Sequence, residues 1–361
     1  MYIVIFASLV CLFLTYLDSI GLYRKGLLVS FLILTILAAI HYDYGNDYMP
    51  YYELYNRLTY YPFNYNEIIE GDYKDYGWAF LCYIFKPIGG FFTMVAVLNI
   101  IQNTIVYRFI KKQVQRSWWP LSIFIYLFIT RFYLLNFSML RQGFVVCIFL
   151  GLWTYIKDKK WWIPLIVLFL CSKVHASSMI LIPFSFWGFV PSKNGKFIAI
   201  IYTILFFILF LSSNFINSVL DTVLHIEEFS EYADIYGGNE NNVTFGIGYI
   251  LSIIPFFFML YYLLIINDNV SNRQMVMLSM LYFIIIPFTS VIQLISRIAI
   301  YFGVFQIAAI PWAFKSVKRH DIRILFMIIW IFWILYSYWM FFNEGVYANH
   351  YKTFHTIFEI I

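Results

Sequence analysis

Apolar runs recur along the whole length of this 361-residue chain, and charged residues lie almost entirely between them. Because 62% of the residues are hydrophobic and 12% are charged, such runs can repeatedly cross the roughly 30 Å hydrocarbon core of a bilayer. We predict an all-α polytopic integral membrane protein of about 12 transmembrane helices, with residues 1–361 forming a single transmembrane domain. The predicted spans are 1–17, 26–42, 88–108, 118–136, 140–156, 161–174, 176–190, 197–213, 245–266, 274–292, 297–314 and 324–342.

The distribution of basic residues predicts which way the connections face. Alternate connections hold 16 of the 24 Lys and Arg residues, from Arg24 and Lys25 near the start to Arg323. Since cytoplasmic connections are enriched in Lys and Arg, this side is expected to face the cytoplasm. The opposite side has two long acidic connections, residues 43–87 and 214–244, which we predict to be extracytoplasmic loops. Long loops often carry function, so the outward side is the expected working face.

Four cations lie at the outer ends of predicted spans, where a charge near hydrocarbon costs at least about 3 kcal/mol unless it is paired or faces a cavity. They are Arg131, Arg141, Lys173 and Arg297. The first two lie near Asn136 and Gln142, and two arginines beside polar amides suggest a site that binds an anion. Lys173 and His175 form the apex of a hairpin between two apolar runs that are too short to reach the outer surface. These positions predict a cationic, partly buried pocket that is open to the outside.

An outward cationic pocket beside lipid suits a lipid-linked phosphate or diphosphate, because the arginine guanidinium binds phosphate oxygens through two parallel N–H groups. The sequence has no Asp-x-Asp pair, no glycine-rich phosphate loop and no His or Cys spacing typical of zinc. We therefore expect a lipid-linked sugar donor, without a metal, a cofactor or a nucleic-acid partner. Two other classes stay open. A flippase or transporter of lipid-linked glycans could use the same pocket, and a membrane acyltransferase could modify an extracellular glycan.

Four motifs occur in order between residue 41 and about residue 310. They are Gly45–Tyr51, of the form Gly-x-Asp-Tyr-x-x-Tyr, then Asn136–Gln142, the Lys173–Ser177 hairpin and Arg297–Phe302. In residue type, order and spacing they resemble the EpsG family of polysaccharide-polymerising membrane proteins, which are relatives of Wzy-type O-antigen polymerases. The sequence departs from the family pattern at His41, where an arginine is common, and at Asp75, where a glutamate before a Gly-aromatic pair is common.

This resemblance implies a GT-C-like, all-helical glycosyltransferase in the bacterial cytoplasmic membrane. Its donor would be an oligosaccharide repeat unit on a polyprenyl (undecaprenyl) diphosphate, its acceptor a second lipid-linked repeat unit, and its product an O-antigen, capsule or exopolysaccharide chain. An acceptor hydroxyl would attack the anomeric carbon, and polyprenyl diphosphate would leave. A chain-length regulator is a candidate protein partner. Another lipid-linked glycosyltransferase or ligase is a further alternative function.

The resemblance also implies roles for individual residues. The four cations would stabilise the negative charge that grows on the leaving diphosphate. Asp47 is the first candidate for the base that takes the acceptor proton, His175 is the second and Asp43 is the third. The residues expected to contact the glycan or support the site are His41, Tyr48, Tyr51, Asn136, Gln142 and Tyr301.

Overall fold

The structure is a computed structural model that describes residues 1–58, 75–129, 132–211, 246–266, 269–290, 293–343 and 348–359. Helices account for nearly all the regular structure in these residues, as the apolar composition predicts. The chain forms two compact units, Met1–Gly188 with Leu335–Ile361, and Phe189–Ile334. The single transmembrane domain stays a prediction, and the second predicted loop, 214–244, lies outside the described residues.

The first unit is a helical bundle with a short antiparallel pair of strands. In chain order its elements are α1 (Tyr2–Ser19), α2 (Gly26–Ile40), β1 (His41–Tyr42), α3 (Tyr48–Arg57), α4 (Tyr76–Phe85), α5 (Gly90–Gln113), α6 (Trp119–Phe128), α7 (Leu140–Lys157), α8 (Trp162–Val174), a 3-10 helix (Ala176–Phe189) and β2 (His355–Thr356). Helix α1 packs against α2 and α6, α2 packs against α5, and α5 packs against α7. His41 of β1 pairs with Thr356 of β2. The predicted loop 43–87 thus contains two helices, α3 and α4, with residues 59–74 between them outside the described part.

The second unit is also helical. In chain order its elements are α9 (Gly195–Leu211), α10 (Ile247–Ser252), α11 (Ile254–Ile265), α12 (Val270–Ile285), α13 (Gln293–Gly303), α14 (Gln306–Ser316) and α15 (His320–Asn343), whose last residues belong to the first unit. Helix α12 packs against α13, and α11 packs against α9 and α14. Arg273, near the start of α12, is buried and donates to the backbone oxygens of Ser192 and Lys193. This contact joins α12 to the segment before α9.

Several helices have the length and apolarity that a membrane span needs. Within the described residues they are α1, α5, α15 and the segment Val270–Phe288, and the bent pair of α13 and α14 would make a fifth span. Large apolar side chains are exposed on α1, where Phe6 is 71% exposed and Phe13 is 60% exposed, as expected of a surface that faces lipid. The prediction of an all-α membrane protein is therefore confirmed, whereas the number of about 12 spans stays a prediction.

Some predicted spans are interrupted in the structure. The run 245–266 is divided before Pro255, whose ring blocks the hydrogen bond to the preceding turn. The run 176–190 forms a 3-10 helix that contains Pro183, and the run 297–314 bends by 57° between α13 and α14. Hydropathy alone does not predict these breaks, since proline is tolerated within membrane-spanning helices.

An ion pair identifies one end of the first unit. The Asp18 carboxylate, near the end of α1, accepts hydrogen bonds from Arg116 Nε at 3.0 Å and from Arg116 Nη2 at 2.6 Å. It also accepts the Leu27 backbone N–H at 3.0 Å. The pair therefore joins the connection between α1 and α2 to the connection between α5 and α6. Both connections are on the side that the basic residues predict to be cytoplasmic. The turn that begins at His41 follows the other end of α2.

Candidate functional site

The turn between β1 and α3 packs directly on the segment before α7. Gly45 has φ +111°, and a Cβ atom at this position would lie 2.7 Å from Ser138 Cβ, so glycine fits where a larger residue would not. The Ser138 hydroxyl donates to Asn46 Oδ1 at 2.7 Å and accepts the Asp47 backbone N–H at 3.3 Å. Two of the four motifs therefore meet here, and Asp47 is held immediately before α3.

The buried His41 connects the end of α2 to the same segment. Its Nδ1 lies 2.7 Å from the Ala38 oxygen, and its Nε2 lies 3.2 Å from the Phe137 oxygen. The Tyr48 hydroxyl donates to the His41 backbone oxygen at 3.2 Å, and both residues are fully buried. His41 and Tyr48 therefore support the turn that carries Asp47, and contact with a glycan stays a prediction for both.

Arg141, in the first turn of α7, lies between an aromatic ring and a carboxylate. Its Nε donates to the Tyr51 hydroxyl at 3.3 Å, and its guanidinium carbon lies 5.0 Å from the centre of the Tyr51 ring, within cation–π range. Its Nη1 donates to Asp75 Oδ2 in an ion pair. Asp47 is also close enough to contribute to the electrostatic environment of Arg141. The Arg141 side chain is 27% exposed, so a ligand can reach it.

Asp75 connects Arg141 to the apex of the hairpin. Its Oδ1 accepts the Ala176 backbone N–H at 2.9 Å, and its Oδ2, which is paired with Arg141, lies 3.9 Å from His175 Nδ1. That second distance is an electrostatic contact and is too long for a hydrogen bond. Burial raises the pKa of the Asp75 carboxyl, but His175, Arg141 and the Ala176 N–H together outweigh burial and hold this pKa below its ordinary value. Asp75 is therefore a carboxylate at neutral pH.

The first turn of α4 lies against the backbone of the hairpin. A Cβ atom at Gly77 would lie 2.6 Å from the carbonyl carbon and oxygen of Lys173. The Lys173 ammonium in turn lies 5.4 Å from the centre of the Tyr76 ring. This close contact brings Asp75, two residues before Gly77, beside His175.

Replacing Gly77 with Ala should disturb this contact without adding charge or polarity. The new methyl group would overlap backbone atoms that cannot rotate away, so we expect a loss of about 1–3 kcal/mol and a lower melting temperature in detergent. Gly246→Ala is the matched control, because among the described residues a Cβ atom there meets nothing within 4 Å. Equal melting temperatures for the two variants would contradict the close packing of α4 on the hairpin.

Asn136 and Gln142 lie in the interior of the first unit. Asn136 Nδ2 donates to the Tyr126 hydroxyl at 3.2 Å, and this hydroxyl donates to Asn103 Oδ1 at 2.9 Å. Asn136 is 1% exposed and Gln142 is 2% exposed. Asn136 therefore links the segment before α7 to α6 and α5, and a role beside a glycan stays a prediction for both amides.

The structure gives other surroundings to the remaining predicted residues. Asp43 is exposed and has φ +47°, in the left-handed region. Arg297 and Tyr301 lie on α13 of the second unit, where Arg297 is half-buried and Tyr301 is buried. Arg131 lies outside the described residues.

The cluster in the first unit contains one residue that was not among the predicted site residues, Asp75. A signal for it was present in the sequence, because Asp75 is an acid before a Gly-aromatic pair, Gly77 and Trp78, the position where the resemblance leads one to expect a glutamate. Its partners in the structure are far from it in sequence. From the sequence alone, Asp75 could not be distinguished from the solvent-exposed acids of the same loop. Among the described residues, no group of three or more His, Cys, Asp or Glu side chains has the arrangement of a metal site.

Comparison with known proteins gives a family for this chain. No curated protein and no solved structure matches it. The sequence pattern of the EpsG family matches residues 26–353, a range that includes every residue of the cluster and all four motifs. Because the match covers most of the 361 residues, the predicted resemblance is confirmed, and the chain belongs to the EpsG family.

Proposed function

We propose that this chain polymerises oligosaccharide repeat units carried on polyprenyl diphosphate, at the outer face of the bacterial cytoplasmic membrane. The observation that carries the proposal is the cluster of Arg141, Asp75 and His175, close to Asp47, in an apolar helical bundle. It combines a cation that can bind an anion with a candidate base, and glycosyl transfer from a diphosphate donor needs both. Membership of the EpsG family supports a glycosyltransferase-type polymerase of polysaccharides.

The proposed reaction forms one glycosidic bond and breaks one bond to the lipid carrier. A hydroxyl oxygen of the acceptor repeat unit attacks the anomeric carbon of the donor sugar. The bond from that carbon to the diphosphate oxygen breaks, and polyprenyl diphosphate leaves with the electron pair. The hydroxyl proton passes to a base. The protein must therefore stabilise negative charge on the diphosphate and accept one proton.

Arg141 is assigned to the donor diphosphate. A guanidinium has five N–H donors, and Arg141 directs one to Tyr51 and one to Asp75, which leaves others for phosphate oxygens. Because Asp75 neutralises part of this charge, a diphosphate requires further cations. Lys173, on the hairpin beside Asp75, is proposed for that role, and the same role for Arg131 and Arg297 stays a prediction from the sequence. Fixed cations of this kind stabilise a leaving anion by preorganised electrostatics.

Among the three candidate bases, the geometry favours His175. Asp43 is exposed, and Asp47 Oδ1 already accepts a hydrogen bond from Asn46 at 2.7 Å and lies in the field of Arg141, which weakens a carboxylate as a base. His175 is buried beside the Asp75 carboxylate, and its two ring nitrogens have no hydrogen-bond partner among the described residues. We therefore assign proton transfer to His175 and assign Asp47 to the orientation of the acceptor hydroxyl.

Glycan length in cells that lack this chain tests the proposed function. Loss of a polymerase should leave single repeat units at the cell surface or on the lipid carrier, and long chains should disappear. Expression of the wild-type chain should restore the long chains. Absence of all repeat units from the outer face would instead indicate a flippase, and long chains that persist on the carrier would indicate a ligase.

A further inference from the structure

We propose that Asp75 is a positioning residue for His175, whose carboxylate favours the imidazolium that forms when His175 takes the proton of the acceptor hydroxyl. This inference rests on the proposed function and adds a residue to it. Asp75 does not need to touch either sugar, because it acts through the neighbouring imidazole.

The first argument is the choice of partners that the Asp75 carboxylate contacts. Asp75 is the residue immediately before α4, where an aspartate commonly accepts the first free N–H groups of its own helix. In the part of the chain that the structure describes, its side chain makes no such capping bond. Its oxygens instead contact Arg141 of α7, His175 and the Ala176 N–H. A carboxylate that gives up a local cap for three partners on other segments holds those segments together.

The second argument is the set of charges around His175. Asp75 approaches it from α4, at 3.9 Å from Nδ1, and Arg141 of α7 is paired with the same carboxylate oxygen. Lys173 lies two residues away on the same hairpin, and Asp47 lies near Arg141. Without Asp75, the charges left on the neighbouring segments would be Arg141, Lys173 and Asp47, and the two cations among them disfavour an imidazolium. The carboxylate thus offsets the positive charge that His175 gains when it takes a proton.

The third argument concerns access. The side chains of Asp75 and His175 are each 10% exposed, so water screens their interaction only weakly. The Gly77 contact with the backbone of Lys173 fixes the spacing between the start of α4 and the hairpin. A charge that is buried and fixed in this way acts on its neighbour without reorganisation during the reaction.

The test is the pH dependence of kcat/KM for chain elongation by purified protein. The substrate is the pool of polyprenyl-diphosphate-linked repeat units extracted from cells that lack this chain. On the acidic limb of this profile, kcat/KM falls as the pH is lowered because the base becomes protonated. In Asp75→Asn this limb should move to lower pH by about one unit, because the imidazolium loses its neighbouring carboxylate. The value of kcat should fall by about 100-fold. Asp75→Glu restores the charge and should return the limb toward its wild-type position.

Asp18→Asn is the matched control, since Asp18 is also a buried aspartate paired with an arginine, at the other end of the first unit. It removes the same charge from an ion pair and should leave the acidic limb in place. A limb that stays in place in Asp75→Asn as well would show that Asp75 only holds Arg141, and would overturn the inference. A higher KM for the donor, with the acidic limb of the pH profile unchanged, would lead to the same conclusion.

A second comparison uses a double variant that contains neither charge of the pair, in case Asp75→Asn does not fold. Arg141→Gln and the double variant Asp75→Asn with Arg141→Gln differ in the carboxylate alone, and because Arg141→Gln leaves Asp75 without its cation, its rates are measured per folded protein. The acidic limb of the residual activity should lie at lower pH in the double variant than in Arg141→Gln. Limbs at the same pH in the two variants would overturn the inference. Failure of the wild-type protein to elongate the extracted units would reject the proposed function itself.

Discussion

Purified His175→Gln protein is expected to elongate lipid-linked repeat units about 100-fold to 10,000-fold more slowly than the wild type. Gln keeps a similar size and can form hydrogen bonds, but it cannot accept a proton near neutral pH. The carboxylate of Asp75 would remain paired with Arg141, so the cluster should stay assembled. Asp47→Asn should keep a larger share of the activity, because its proposed role is to orient the acceptor hydroxyl. The measurement is the ladder of lipid-linked glycans formed over time by each variant.

His320→Gln is the control for this substitution, since it makes the same chemical change at an exposed position at the start of α15. It should elongate chains at the wild-type rate. The reverse pattern is normal turnover in His175→Gln and loss of turnover in Asp47→Asn. It would make Asp47, the first candidate from the sequence, the base. Normal turnover in both variants would discard both assignments.

The helical class and the meeting of two motifs could be predicted from the sequence for physical reasons. Long apolar runs with so few charges have no other stable form in a bilayer than helices that satisfy their own backbone. Gly45 and Asp47 follow the end of α2, and Arg141 begins α7, so both lie where the chain leaves predicted spans. Charged residues that leave their spans on the same side of a small helical bundle share a limited surface, so the distances between them are short. Their assembly into one cluster was therefore a reasonable expectation.

The breaks in the helices and the partners of the cations could not be predicted in the same way. Pro255 interrupts one predicted span, while Pro311 lies inside the continuous helix α14, so proline alone does not decide where a helix ends. Asp75 is one acid among several in the segment 43–87, and its pairing with Arg141 depends on how α4 packs. Asn136 lies beside an apolar run, where a polar residue can serve either a ligand site or a buried hydrogen-bond network, and its bond to Tyr126 could not be predicted from the sequence.

Substituting Lys for Arg141 is expected to reduce chain elongation by about 100-fold or more while the protein still accumulates in the membrane. The lysine ammonium keeps the positive charge, so Asp75 remains paired and the buried carboxylate is not left alone. A lysine cannot, however, direct separate N–H groups to Tyr51, to Asp75 and to a diphosphate from one planar group. The loss should therefore be seen in donor binding and in turnover. Both are measured with extracted polyprenyl-diphosphate-linked repeat units.

Arg141→Ala separates this effect from stability. It leaves Asp75, which is 10% exposed, without its cationic partner, and breaking a buried pair in this way costs roughly 3–5 kcal/mol, so reduced protein levels are expected. Arg116→Lys is the matched control, because Arg116 also contacts a buried aspartate through two guanidinium nitrogens but lies at the opposite end of the first unit. Its glycan chains should keep their wild-type length. If chains made by Arg141→Lys and Arg141→Ala also keep that length, Arg141 serves the fold alone, and the diphosphate must bind to other cations.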